Sequence, residues 1–168
     1  RKSKSNWCRC GKWKKPSGSS SDDVFLFTTD YTDYFNLLFL MPMNTIELNQ
    51  LSYNIIGCAY QVHKALGPGL LESTYETCLC YELEQKGLHY ERQKGIDINY
   101  NGIIIPNAYK IDISVENQVI VELKSVENLL PIHTAQLLTY LKLANKHVGL
   151  LINFNTTNLQ NGIKRYVK

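Results

Sequence analysis

The stretch Lys110 to Lys124, KIDISVENQVIVELK, holds the side chains best suited to chemistry: two carboxylates, Asp112 and Glu122, and one amine, Lys124. Ile111/Ile113/Val115 and Val119/Val121/Leu123 alternate with a period of two around Glu116-Asn117-Gln118. That pattern predicts a β-hairpin with a short polar loop. Glu122 and Lys124 are two residues apart, so their side chains leave the same face of the sheet. Register decides whether Asp112 joins them. A three-residue loop pairs Val115 with Val119 and counts Asp112 opposite Glu122, whereas a two-residue turn pairs Asp112 with Val121 and separates the acids. The three-residue loop, or an equivalent bulge, is the expectation.

Two carboxylates side by side repel unless a cation lies between them. A hard divalent ion suits that position, because Mg²⁺ takes oxygen ligands, keeps several waters and uses one or two protein carboxylates beside substrate phosphate oxygens. Lys124 could then orient or help deprotonate a metal-bound water, or offset charge on a pentacovalent transition state. A competing reading makes Glu122 and Lys124 a solvated edge pair and Asp112 an ordinary acid near a turn.

Asp112, a hairpin and then Glu122-Leu123-Lys124 is similar to the D…(D/E)xK signature of the PD-(D/E)XK nuclease superfamily. Two further segments narrow the resemblance. GLLESTY at Gly69 to Tyr75 resembles the G-x-x-E-x-x-Y motif of the GxxExxY family within that superfamily, and HTAQLLTYLKL at His133 to Leu143 looks like its Q-x-x-x-Y helix. All three occur in the family's order, from about Met43 to the C-terminus. The resemblance implies a metal-dependent nuclease acting on DNA, with RNA as the alternative substrate, and with Glu72, Asp112, Glu122, Lys124, Gln136 and Tyr140 as site residues. It further implies Mg²⁺ or Mn²⁺ on Asp112, Glu122 and the Leu123 backbone carbonyl, with Glu72 completing or orienting the shell. The alternative is a catalytically silent nucleic-acid-binding or protein-interaction module that keeps the fold.

The scaffold must hold those groups on rigid elements. At 168 residues and 44% apolar content the chain suits one domain with a single core. Seven Lys/Arg and four Asp precede Met43, while the remainder carries eleven of each sign, so the whole net charge of +3 belongs to the first 42 residues. The nuclease-like unit, 43–168, has no basic excess with which to hold nucleic acid. Residues 1–42 read as a basic extension, either a disordered arm or a stretch upstream of a misassigned start, with Met41 or Met43 as the second candidate start. Cys8 and Cys10 lack the second ligand pair that zinc needs. Five cysteines without a secretory signal suit reduced thiols in a cytoplasmic protein. No run of about 18 uncharged apolar residues predicts a membrane span; the nearest, Val24 to Met43, is interrupted by Asp30 and Asp33.

In Asn44 to Leu66, the positions Leu48, Leu51, Ile55, Ala59, Val62 and Leu66 recur at helical spacing up to Gly67-Pro68-Gly69. A second helix, about Leu71 to Lys86, starts with Glu72, which is either a carboxylate favoured at a helix start or an acid aimed at the metal. Glu76, Cys58, Cys78, Cys80 and His63 read as a solvated acid, small helix fillers and a surface or core-edge ring. His89 to Tyr100 and Ile103 to Ile105 read as strands around the Asn101-Gly102 turn, with Pro106-Asn107 ending the second run. A helix at about His133 to Asn145 should bury Leu137, Leu138 and Leu141 and set Gln136 and Tyr140 on one face; His133 either contacts substrate or fills the helix start. The apolar run His147 to Asn155 predicts a strand covered on both faces and parallel to that of Glu122. Gly162 to Tyr166 adds an edge strand or short helix. The expected architecture is α/β: a mixed central β-sheet flanked by helices, a restriction-endonuclease-like core.

Overall fold

The computed structural model describes residues 43–168, so the readings of the N-terminal extension, its Cys8/Cys10 pair and the Val24 run lie outside the described residues. The elements are α1 (Thr45–Leu66), α2 (Glu72–Gln85), β1 (Tyr90–Tyr100), β2 (Ile103–Val115), β3 (Val119–Lys124), α3 (Pro131–Leu143), β4 (Val148–Asn153), a single helical turn α4 (Leu159–Gly162) and β5 (Ile163–Val167). They form one five-stranded mixed sheet in the order β1-β2-β3-β4-β5. Only β3 and β4 run parallel, as expected for strands joined through a helix. No helix among the described residues is long and apolar enough to cross a membrane.

The sheet is covered on both faces. Against one face α1 and α2 pack Leu51, Ile55, Ala59, Val62, Tyr75, Leu79 and Leu83 onto Ile113, Val115, Val121, Leu123, Leu150 and Ile152. Against the other, α3 places Leu137, Tyr140 and Leu141 on Ile120, Leu151 and Ile111. Burial of each large aliphatic side chain contributes about 1.5–3 kcal/mol. α3 lies close to β4 because residue 149 is glycine: a Cβ there would stand 2.8 Å from Leu137 Cδ1. Asn44 caps α1, accepting from the Ile46 and Glu47 amides while Glu47 returns a bond to the Asn44 amide.

Four expectations need correction. Pro106-Asn107 does not end a strand, since β2 runs unbroken from Ile103 to Val115. Beyond Ile113 toward its start, β2 bonds only to β1, so the missing amide of Pro106 breaks no ladder on the open edge. The irregularity appears instead as a register shift between Ile96 and Ile98, with Asn107 at φ 49° donating its amide to Asp97. Secondly, Ile111 does not share a face with Ile113 and Val115; it packs under α3. Thirdly, Leu66 and Leu138 are exposed rather than buried, and Tyr140 takes the core place expected of Leu138. Lastly, Glu76 is buried, because Arg92 and Gln93 reach across from β1 to bond both its oxygens.

Candidate functional site

The hairpin loop has three residues, with Val115 opposite Val119 and with Glu116 and Asn117 at φ 51° and 50°. The same register continued would set Asp112 against Glu122, but the β2–β3 ladder stops at Ile113↔Val121. There the strands part, and the Asp112 carboxylate fills the gap by accepting from the Leu123 amide at 2.8 Å. Asp112 therefore lies at the seam between the strands, beside Glu122 rather than across the sheet from it. In a strand the N–H and C=O of one residue point to the same edge. The Lys124 carbonyl faces β4, where it accepts from the Phe154 amide, so the Leu123 carbonyl faces β2 and Asp112.

Glu122 is 1% exposed. Its Oε1 accepts from Lys124 Nζ at 2.6 Å, and its Oε2 is buried with no hydrogen-bond partner. Burial, and after it the charge of Asp112, pushes the Glu122 carboxyl up to about 7. Burial raises Asp112 too, against the opposing pull of the Leu123 amide and Lys124. Desolvation works against the charge on Lys124, yet the bond to Glu122 and the surrounding carboxylates leave its amine above the ordinary lysine range. Lys124 is thus held as the charge partner of Glu122, with Glu72 nearby.

Glu72 enters from the start of α2. Its Oε2 accepts from the Ser125 amide at 3.2 Å and its Oε1 stands 3.9 Å from Lys124 Nζ. The turn before it is locked by Tyr75, whose hydroxyl donates to the Gly67 carbonyl at 2.6 Å and accepts from the Leu70 amide at 3.1 Å. Tyr75 is fully buried and stacks on Phe154 at 4.5 Å. The final tyrosine of the GLLESTY segment thus holds the backbone that presents Glu72. A cavity of about 430 Å³ adjoins this edge, lined in part by Glu72, Glu76, Gln93 and Asp112.

On the other side α3 brings Gln136 and Tyr140 together, with Gln136 Nε2 donating to Tyr140 Oη at 2.7 Å. Burial raises the Tyr140 phenol, and the charges of Glu122 and Asp112 act on it in the same direction. Tyr140 packs in one cluster with Ile111 and Ile120, on the face of β3 opposite Val121 and Leu123. A family model described as the PD-(D/E)XK nuclease superfamily matches residues 49–166. The chain belongs to the PD-(D/E)XK nuclease superfamily. No curated protein and no solved structure gives a significant match.

In this PD-(D/E)XK domain Asp112, Glu122, Lys124 and Glu72 come together at the C-terminal end of β3, while Gln136 and Tyr140 pair with each other on α3, and one feature differs from the expected geometry. Among the described residues no three His, Cys, Asp or Glu side chains close around one point as a ready-made metal cage; Glu122 and Glu72 are turned toward Lys124 instead. The donor set nonetheless fits a hard cation. The unpartnered Glu122 Oε2 is costly when charged and buried, and it lies next to a second carboxylate and a strand carbonyl, all oxygen donors.

His133 stays at the helix start, accepting from the Leu130 amide. His63 bonds the Thr156 carbonyl at the core edge. Cys58 and Cys80 fill buried helix positions, as expected. Arg165 of β5 bonds Asn49 and Ser52 of α1. Sequence reading missed the brace behind the site. Ser125 Oγ donates to the Leu70 carbonyl, and Asn153 bonds both backbone groups of Val126, tying the segment after β3 to its neighbours. A polar Asn closing the apolar run VGLLIN was the available signal.

Proposed function

We propose that this domain is a metal-dependent nuclease of the GxxExxY type, hydrolysing phosphodiester bonds, with DNA the proposed substrate. One observation carries the reading: a fully buried glutamate keeps an unpartnered oxygen while its other oxygen is bonded to a lysine and a second carboxylate stands beside it. Burying that charge without a ligand costs free energy, and a divalent cation would offset the cost. Asp112, Glu122 and the Leu123 carbonyl would hold Mg²⁺ or Mn²⁺, with Glu72 orienting the shell. When bound, the ion supplies Lewis acidity and lowers the pKa of a water.

The chain's own groups do the rest. Lys124 is held between Glu122 and Glu72, so its ammonium can bond both an attacking water and a phosphate oxygen that gains charge as water adds. As the water oxygen bonds to phosphorus its proton passes to solvent, the phosphorus–oxygen bond to the leaving strand breaks, and the leaving oxygen takes a proton from solvent. Gln136 and Tyr140 supply an amide and a phenol at the rim, able to donate to a phosphate oxygen. The nuclease unit is assigned to 43–168, with the basic segment before it as accessory phosphate contact, and the free Cys58, Cys78 and Cys80 suit a reducing cytoplasm.

The test is hydrolysis of labelled DNA and RNA by purified protein with Mg²⁺ or Mn²⁺. Lys124→Ala should lower the rate by about 10²–10³-fold, the scale of losing one preorganised charge-stabilising group, with unchanged circular dichroism. Equal rates would assign the cleavage to another site or protein. The balanced charge of residues 43–168 favours a second reading, a silent binding module. Titration calorimetry separates them: Mg²⁺ or Mn²⁺ binding abolished in Asp112→Asn supports the enzyme, and nucleic-acid binding indifferent to metal and to that change supports the module.

A further inference from the structure

β2 pairs with β3 only over Ile113 to Val115, so its earlier residues bond to β1 alone. Because β2 and β3 are antiparallel, this two-stranded arm projects past the C-terminal end of β3, the end that carries Glu122 and Lys124. The arm overhangs the candidate site.

Its composition is unlike that of a phosphate-binding element. Between Gly95 and Tyr109 the only charged residue is Asp97, whereas Tyr100, Ile103, Ile104 and Ile105 are exposed at 65%, 64%, 65% and 44%. Affinity for a duplex backbone requires Lys and Arg, and on the arm these occur only at its base, as Lys94 and Lys110, with none between Gly95 and Tyr109. An exposed, two-stranded apolar ribbon is also an aggregation hazard that something normally covers. Stacking on unpaired bases calls for aromatic and aliphatic surface and tolerates any sequence.

Continuity with the site argues for a nucleic-acid occupant. At the base of the arm Tyr109, 38% exposed, meets Tyr140 edge-on with ring centroids 5.4 Å apart and planes at 61°. Tyr140 in turn bonds Gln136 and lies in the field of Asp112 and Glu122. Tyr140 therefore touches both a solvent-facing aromatic on the apolar arm and, through Ile120 and Ile111, the neighbours of Glu122 and Asp112 in β3 and β2. A duplex hides the faces of its bases, so only an unpaired strand can use such a surface beside a site that lacks excess positive charge.

We propose that the β1–β2 arm is a grip for unpaired bases, with Tyr109 stacking on a base next to the scissile phosphate and Tyr100, Ile103 and Ile105, which the register sets on one face, packing on the bases beyond it. The preferred substrate is then single-stranded or frayed nucleic acid. This rests on the nuclease reading above and deepens it.

The experiment uses the full chain carrying Lys124→Ala, so that binding is read without cleavage. Fluorescence anisotropy would follow a labelled single-stranded 20-mer and a blunt duplex of the same length at about 0.15 M salt, where surface charge is strongly screened. The single strand should bind at least 10-fold tighter. Tyr109→Ala should weaken it by about 10-fold or more, the order of losing one stacked base, while Tyr109→Phe preserves it. A 2-aminopurine in the strand should change fluorescence on binding with Tyr109 or Phe there, and not with Ala. Equal affinity for both substrates, or no effect of Tyr109→Ala, overturns the grip. A dimer abolished by Ile103→Ser/Ile104→Ser would put a second copy on the arm and also overturn it. Wild-type hydrolysis without strand preference sinks this inference alone, whereas no hydrolysis of any nucleic acid sinks the nuclease reading beneath it.

Discussion

The two faces of β3 impose opposite requirements on neighbouring residues of one strand. Val119, Val121 and Leu123 turn toward α1 and α2 into a dry core in which fit is the sole demand. Ile120, Glu122 and Lys124 turn the other way, toward α3, where only Ile120 is ordinary core and Glu122 is buried with an oxygen left unpaired. Both faces are almost inaccessible to water, so burial does not distinguish them. The dry face gains free energy from burial, and the polar face spends part of that gain on holding charge out of water. A strand can carry such a site because its alternate residues, packed into the core on the opposite face, anchor it rigidly.

Changes on each face should therefore fail in different ways. The largest effect on stability is expected from the dry face: Leu123→Ala should lower unfolding free energy by about 2–5 kcal/mol, read by urea denaturation. The bond from the Leu123 amide to Asp112 involves backbone and survives, so activity per folded molecule at low temperature should stay within about threefold of wild type. Complete loss of activity in folded Leu123→Ala would show that the two faces are not separable.

On the polar face the sign should reverse. Replacing the buried pair together, Glu122→Gln with Lys124→Met, should abolish hydrolysis yet leave metal-free stability unchanged or raise it by about 1–4 kcal/mol, as occurs when buried ion pairs give way to neutral groups of similar size. Thermal unfolding of the metal-free protein checks this. A loss of several kcal/mol would mean the pair is a net stabiliser and would weaken the case that Glu122 is held at a cost.

The smallest effect sharpens the same contrast through pH. On the dry side, burial pushes the Cys80 thiol up to about 11 from an ordinary 9.0. The unfolded thiol ionises above pH 9 while the folded one resists, so this group's contribution falls as pH rises from about 9 to 11. Unfolding midpoints should decline over that window, and Cys80→Ala should flatten part of the decline. An unchanged slope in the variant would assign the alkaline sensitivity elsewhere.

Much of this arrangement was legible in the chain itself. The count across Glu116-Asn117-Gln118 set the hairpin register correctly because a one-residue slip would have put Val119, Val121 and Leu123 on the wrong face. The same counting failed one residue further, where β2 leaves β3 and Asp112 replaces a backbone partner with its side chain. Glu76 illustrates a second limit. Its local helical pattern could not reveal Arg92 and Gln93, which come from a strand and meet it only in the folded chain. Pro106 is the converse case: its local rule holds only where the missing amide would have had a partner, and the open edge of β2 provides none.

Sequence alone determined which residues could take part, since side-chain chemistry, alternation and helical spacing are properties of short stretches. It fixed the helices, the hairpin and the membership of Asp112, Glu122 and Lys124 in one segment. Tertiary structure decided which of those groups is buried, which oxygen lacks a donor, that Tyr75 braces the turn bearing Glu72, and that a largely apolar arm extends beyond the end of β3. The reason is that desolvation and pairing depend on neighbours distant in the chain, and only packing of one element on another brings those neighbours within reach.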